Sequence, residues 1–181
     1  MMKFDSDFVM TVNGGPMAAE AMFDVVNPAT GKVIAAAPDC TRAQLDQAVA
    51  AARAAFASWR SVSIEKRQEL LRKAADILLA NADELSRLFT REQGRPVGAA
   101  KFEIESAAGW LQAVSRMRPP VHVSEDSEAQ LIETRYLPLG VVCAIAPWNV
   151  PVLLAIWKVA RHCSLAIRWC SSHRRSPLFA R

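Results

Sequence analysis

The chain has 181 residues, 51% hydrophobic and 22% charged, which is enough for one domain with a buried core and argues against a disordered or fibrous polypeptide. Its formal charge of +4 is unevenly placed: up to Ala160 acidic and basic residues stand at 18 against 17, whereas residues 161–181 carry five Arg, no Lys, no acidic residue, two of the three His and two of the four Cys. The basic balance belongs to that tail, and so abrupt a break marks a tail, a fusion scar or an altered reading frame.

Phe8 to Val12 and Phe23 to Val26 alternate as short strands do, separated by a turn over Asn13, Gly14, Gly15 and Pro16. The run from Val25 to Ile34 places Pro28 and Gly31 between two β-prone stretches and predicts a hairpin. Four helices should follow. Thr41 and Gln44 form a capping-box pair ahead of Leu45, Val49, Ala52, Phe56 and Trp59 at helical spacing. Ser63 caps the second helix, with Glu65 in its first turn and a stripe of Leu70, Leu71, Ala74, Ile77 and Leu78. Asn81 and Glu84 repeat the capping box for the third, which Gly94 ends with Pro96 just beyond. The fourth runs from about Val97 to Met117, before Pro119 and Pro120.

Strands then return. Val121 to Val123, a polar turn from Ser124 to Ser127 and the alternating stretch Gln130 to Tyr136 predict a hairpin suited to an edge or an oligomer contact. Gly140 to Ala146 is an uninterrupted apolar run and predicts a parallel strand buried on both faces; Pro147, Trp148 and Asn149 break it, and Pro151 to Ala160 resumes as an apolar helix with Pro in its first turn. Leu137 to Trp157 lacks charge and is long enough for a bilayer of roughly 30 Å. Pro138, Gly140, Pro147, Asn149 and Pro151 interrupt it, so strand, turn and helix are expected and no membrane span. The cysteines, Cys40, Cys143, Cys163 and Cys170, lack framework spacing and no cationic-then-apolar leader opens Met1 to Asp7, so a reducing cytoplasm is expected.

A buried parallel strand running into a turn and a helix is where α/β folds bind ligands, at the carboxyl ends of the strands. Asn149 stands on that turn, where its amide can donate to a developing oxyanion; the alternative is an ordinary turn residue or helix cap. His162, Cys163, Cys170 and His173 match no paired zinc-ligand spacing, so no metal is expected. Arg168 and Trp169 with Arg174 and Arg175 lack a nucleic-acid-binding motif, and Lys66, Arg67, Arg72 and Lys73 fit the solvated face of a helix; no nucleic acid is expected. Trp59, Trp110 and Trp157 are expected in the core, and Glu92 and Glu103 as surface or ion-pair groups.

Leu139-Gly140-Val141-Val142, Ala146-Pro147-Trp148-Asn149-Val150-Pro151 and the Leu-Leu-Ala-Ile-Trp-Lys that follows resemble the hallmark segment of the NAD(P)-dependent aldehyde dehydrogenases. The turn Asn27 to Gly31, the helix ending Ala55-Phe56-Ala57-Ser58-Trp59, Arg67 with Leu70 and Leu71, Glu92-Gln93-Gly94-Arg95-Pro96 and Glu103 fall in that family's order, so the resemblance covers roughly Phe8 to Ala160. It implies an α/β fold: residues 1–160 as the amino-terminal part of the cofactor-binding domain, leading into the first part of a Rossmann-like sheet, with an oligomerisation hairpin near 121–136, and 161–181 as a disordered, out-of-frame tail. It also implies oxidation of an aldehyde to a carboxylic acid with NAD or NADP, a homo-oligomer for the full-length protein, Asn149 as the oxyanion donor and Ile145, Ala146, Pro147 and Trp148 along the cofactor. The family's nucleophilic cysteine and general-base glutamate match no residue here, so the chain alone is expected to be inactive. A non-enzymatic fragment pairing with a full-length dehydrogenase is the alternative.

The tail itself is legible in this frame. Relatives continue after Trp-Lys-Val-Ala with a segment like Pro-Ala-Leu-Leu-Ala-Gly-Asn-Thr-Val-Val-Leu-Lys-Pro-Ser. With suitable wobble bases, the coding sequence of that segment read from its second nucleotide yields Arg-His-Cys-Ser-Leu-Ala-Ile-Arg-Trp-Cys-Ser-Ser-His-Arg, which is Arg161 to Arg174. A frameshift near codon 161 is expected.

Overall fold

The computed structural model describes residues 8–164 and, for the backbone, 168–173. The chain begins with two antiparallel hairpins. β1 (Met10–Val12) pairs with β2 (Gly15–Met17) through Asn13 and Gly14, both at positive φ, so Gly15 and Pro16 lie in the second strand and the turn is only two residues long. β3 (Ala21–Val26) pairs with β4 (Val33–Asp39) across the Asn27–Gly31 turn, as the Pro and Gly spacing predicts; Gly31 has φ +67°.

α1 (Arg42–Trp59) carries the expected capping box, with Gln44 also donating to the Ala18 carbonyl at 2.9 Å and tying the helix start to the strands. α2 (Ile64–Ala80) is capped by Ser63, whose hydroxyl accepts from the Lys66 N–H at 3.3 Å. α3 (Ala82–Gln93) departs from its predicted cap. Asn81 alone separates it from α2, and with φ −112° and ψ 11° its side chain turns back to donate to the Ile77 carbonyl at 2.8 Å. α4 (Val97–Val114) ends three residues before the expected Met117, with Ser115 at its cap.

α4 is the centre of the molecule, packed against α2, α3 and the later helix α5 (Pro151–Ser164). Leu71 and Ala75 of α2, Ala108, Leu111 and Val114 of α4 and Ala160 of α5 form one buried cluster. The small residues at 100, 107 and 108 of α4 are fully buried, which lets its neighbours approach closely. The tryptophans stand at the rim of this core and not inside it: Trp59 and Trp110 are half-buried and Trp157 is 40% exposed, its ring 5.1 Å from that of Trp110.

β5 (Val121–Asp126) and β6 (Leu131–Arg135) form the predicted hairpin, with β5 running through the expected turn as far as Asp126. Val121, Val123, Leu131 and Ile132 are all exposed on it. β7 (Val141–Ala146) corrects the expectation of a strand buried on both faces: Ala144 and Ala146 are buried, whereas Cys143 and Ile145 are open. Among the described residues its one paired neighbour is β8 (Arg168–His173), in parallel register from Val141 opposite Arg168 to Ala146 opposite His173. The region expected as an unstructured tail thus holds the last turn of α5, whose apolar face continues into Cys163, and the backbone of one strand. Residues 165–167 and 174–181, and the side chains of Cys170 and His173 in the discounted zinc grouping, lie outside the described residues, as does the start at Met1 to Asp7. No helix among the described residues is long and apolar enough to cross a membrane, and Leu137 to Trp157 divides into strand, turn and helix as predicted.

Candidate active site

The turn between β7 and α5 is built by groups distant in sequence. α5 begins at Pro151, and the Val150 carbonyl accepts from the Leu154 N–H at 3.1 Å, which makes Val150 the residue at the cap position. Valine has no side-chain acceptor, and Pro151 has no N–H to satisfy. The two remaining free donors of the first turn, Val152 and Leu153, give their N–H groups to one carboxylate oxygen of Glu103, at 2.9 and 3.2 Å. Glu103 is only 3% exposed. Its other oxygen pairs with the Arg95 guanidinium, so the buried charge meets a cation, two amides and the positive end of a helix dipole.

Arg95 also donates to the Asn149 carbonyl, and the Gln93 amide donates to the Trp148 carbonyl. The Phe89 ring, 5.3 Å from the guanidinium carbon, backs Arg95. The α3 end that supplies Gln93 and Arg95 is turned by Gly94 at φ +76°, and it lies directly under Pro28 of the first hairpin turn. At the far end of α5 the pattern is mirrored: the Arg67 Nε donates to the Ser164 carbonyl at 3.1 Å, and burial pushes the Arg67 pKa below its ordinary value. An anion at the first turn and a cation at the last both match the helix dipole.

Held this way, the turn leaves Asn149 exposed, and its side-chain amide has no hydrogen-bond partner among the described residues. Asn149 is not the cap of α5; Glu103 has that task. Of the residues expected along a cofactor, Ile145 and Trp148 are 58% and 59% exposed, Pro147 is half-buried and Ala146 is 3% exposed, so Ala146 can offer only its backbone. Two open apolar side chains at the carboxyl end of a parallel strand fit the flat rings of a nicotinamide dinucleotide. The first turn of α5 does not fit the pyrophosphate, because its amides are spoken for by a carboxylate.

The sequence points to Glu103 as a surface or ion-pair group; the structure buries it, keeps the ion pair with Arg95 and makes it the cap of α5. The signal existed: a helix opening Val150-Pro151 has no side-chain cap of its own, so a cap has to come from elsewhere in the fold. Among the described residues no group of His, Cys, Asp and Glu could hold a metal.

A parallel strand, a turn presenting an unbonded side-chain amide and a helix packed back on the strand form the start of an α/β unit, with the turn at the carboxyl end of the strand. The chain belongs to the aldehyde dehydrogenase family, whose sequence pattern it matches over residues 16–165. It is 41% identical to a "Probable aldehyde dehydrogenase" of Pseudomonas sp over 161 residues, 89% of this chain and 33% of that one. The aldehyde dehydrogenase of Brucella melitensis biovar abortus 2308 superposes with a TM-score of 0.84 at 29% identity, over 88% of this chain and 34% of the other. The NAD-dependent aldehyde dehydrogenase of Sinorhizobium meliloti gives 0.85 at 28%, over 94% and 36%. The chain therefore spans about a third of the length of the relatives it matches, and its mixed α/β architecture is a partial version of their fold.

Proposed function

We propose that this chain is the amino-terminal part of an NAD(P)-dependent aldehyde dehydrogenase, an oxidoreductase converting an aldehyde to a carboxylic acid, and that Asn149 supplies the oxyanion donor. The observation that carries the reading is the free Asn149 amide on a turn whose own helix is capped by Glu103. In this reading Asn149 Nδ2 donates to the substrate oxygen as a thiol adds to the carbonyl, and the donation strengthens as negative charge grows there. Ile145 and Trp148 give an apolar wall for the cofactor, Pro147 stiffens the approach, and Ala146 contributes main chain. Bound NAD(P)+ supplies the hydride acceptor.

Among the described side chains no cysteine is placed to serve as the nucleophile. Cys143 lies mid-strand in β7, Cys40 precedes the cap of α1, and Cys163 packs against the helical core. The 181-residue polypeptide is accordingly expected to lack turnover, and the activity belongs to the protein read in the family's frame past Ala160. The compositional break at residue 161 and the translation of the tail from a family-like coding sequence support a frameshift there. Sequencing the source DNA across codons 155 to 185 tests it: a one-base correction that opens a frame to a catalytic cysteine supports the proposal, and a confirmed shift with no such frame removes the activity. In the frame-restored enzyme, Asn149→Ala should lower kcat by about 100- to 1,000-fold. An unchanged kcat would remove Asn149 from the reaction.

The exposed Val121, Val123, Leu131 and Ile132 of the β5–β6 hairpin favour a second reading, in which residues 121–136 dock this chain, or a full-length homo-oligomer, onto another dehydrogenase subunit. Co-purification with a longer dehydrogenase, lost on Val123→Lys with Ile132→Lys, would support it; a chain that stays monomeric would not.

A further inference from the structure

We infer that Arg95 and Glu103, assisted by Gln93, are positioning residues that fix the backbone of Asn149; the inference rests on the reading of Asn149 as the oxyanion donor. Each peptide unit is a rigid plane, and the two planes flanking the Asn149 Cα carry the Trp148 and Asn149 carbonyls. Gln93 holds the first and Arg95 the second. Rotation about either backbone bond of Asn149 would break one of these contacts. Glu103 closes the clamp from the other side, by fixing Val152 and Leu153 three and four residues on and by holding Arg95 through an ion pair. Only the side-chain torsions of Asn149 are left free.

The arrangement explains why a buried carboxylate and its arginine stand behind an exposed turn. A loop this open would otherwise sample several backbone conformations, and a donor that must meet a developing charge loses its effect when it has to reorganise. Charged partners give the clamp stronger hydrogen bonds than neutral ones would. Because the clamp comes from the end of α3 and from the central helix α4, it is anchored to the most buried part of the fold.

The test is amide hydrogen exchange resolved to single residues on the full 181-residue chain, comparing wild type with Glu103→Gln, Glu103→Leu and Arg95→Lys. Gln keeps one acceptor for the α5 amides and loses the ion pair; Leu loses both. Exchange at Val152 and Leu153 should rise about ten-fold in Glu103→Gln and about a hundred-fold in Glu103→Leu, while amides in the middle of α2 and α4 hold their protection. Arg95→Lys should loosen the turn with the α5 amides less affected. Unchanged exchange at the turn would overturn the inference, and so would a rise matched by α2 and α4, which is global destabilisation. In the frame-restored enzyme Glu103→Gln should lower kcat with little change in the aldehyde KM. If Asn149→Ala leaves kcat intact, the oxyanion reading fails while the exchange result still judges the clamp. If Asn149→Ala slows the enzyme and the Arg95 and Glu103 variants do not, the clamp fails and the oxyanion reading stands.

Discussion

Gly94 offers a quantitative test of how the first hairpin braces the α3 end that holds the β7–α5 turn. Its φ of +76° is left-handed, and a Cβ built on it would lie 2.7 Å from Pro28 Cγ and 3.6 Å from Pro28 Cβ. Gly31 is the internal control: its φ is +67°, with nothing within 4 Å of the added atom. The left-handed region costs a non-glycine residue roughly 1–2 kcal/mol, offset in part by the roughly 0.4–1 kcal/mol that Gly→Ala removes from unfolded-chain entropy. Gly31→Ala should therefore destabilise by about 1 kcal/mol. Gly94→Ala adds the clash, which at overpacked sites runs to about 1–3 kcal/mol, giving about 2–4 kcal/mol in total. In the double mutant with Pro28→Ala the clash is relieved, so a coupling of about 1–2 kcal/mol should return. Urea unfolding followed by far-UV circular dichroism gives all four values. If Gly94→Ala and Gly31→Ala agree within about 0.5 kcal/mol, or if the cycle shows no coupling, the hairpin turn does not bear on the α3 end and the reasoning is wrong.

Two further outcomes can be measured on the same chain. Leu111→Ala, at a side chain of α4 that is 2% exposed and packed against α2 and α5, should cost about 2–5 kcal/mol in urea unfolding, whereas Phe102→Ala, at 71% exposure on the same helix, should stay within about 0.5 kcal/mol. Lys66 and Lys73 hold the Glu69 carboxyl down from an ordinary 4.5 to about 2, so any stability the three groups add is complete above pH 4.5 and is lost as pH falls towards 2. NMR titration should find that low midpoint at low salt and see it move up as salt screens the exposed lysines.

Local chemistry made most of the elements legible before the structure. The Thr41–Gln44 box, Ser63 and Gly94 act through contacts spanning only a few residues, and each stands at the helix end that its residue type predicts. Asn81 failed as a cap because it serves two abutting helices, a constraint set by the length of the connection and invisible in residue type. β7 reads as apolar throughout, yet only one of its faces is covered; an apolar run reports what a strand tolerates and not what packs on it. Asn149, with Ile145 to Trp148, stands out as a candidate because the strand-turn-helix pattern is contiguous. The Glu103 clamp does not, since it is made of side chains 49 to 55 residues from the backbone they hold.

The two ends of α5 explain why such long-range contacts fall where they do. A helix that must present a turn at its first residue cannot use that turn to cap itself, because a side chain spent on its own amides is no longer available to a ligand. Val150-Pro151 removes the local competitor, Glu103 takes over the cap from α4, and Arg67 of α2 takes the carbonyl end. The helix is thereby fixed at both ends by charges of the sign its dipole favours, and the exposed residues Trp148 and Asn149 sit on backbone whose carbonyls Gln93 and Arg95 hold. Weakening either end should therefore differ in consequence: Glu103→Leu should disturb the turn and the chemistry assigned to it, whereas Arg67→Met should lower stability through α2 and α5 and leave exchange at Val152 and Leu153 unchanged. A loss of turn protection in Arg67→Met equal to that in Glu103→Leu would mean that α5 moves as one body, and that the turn has no anchorage of its own.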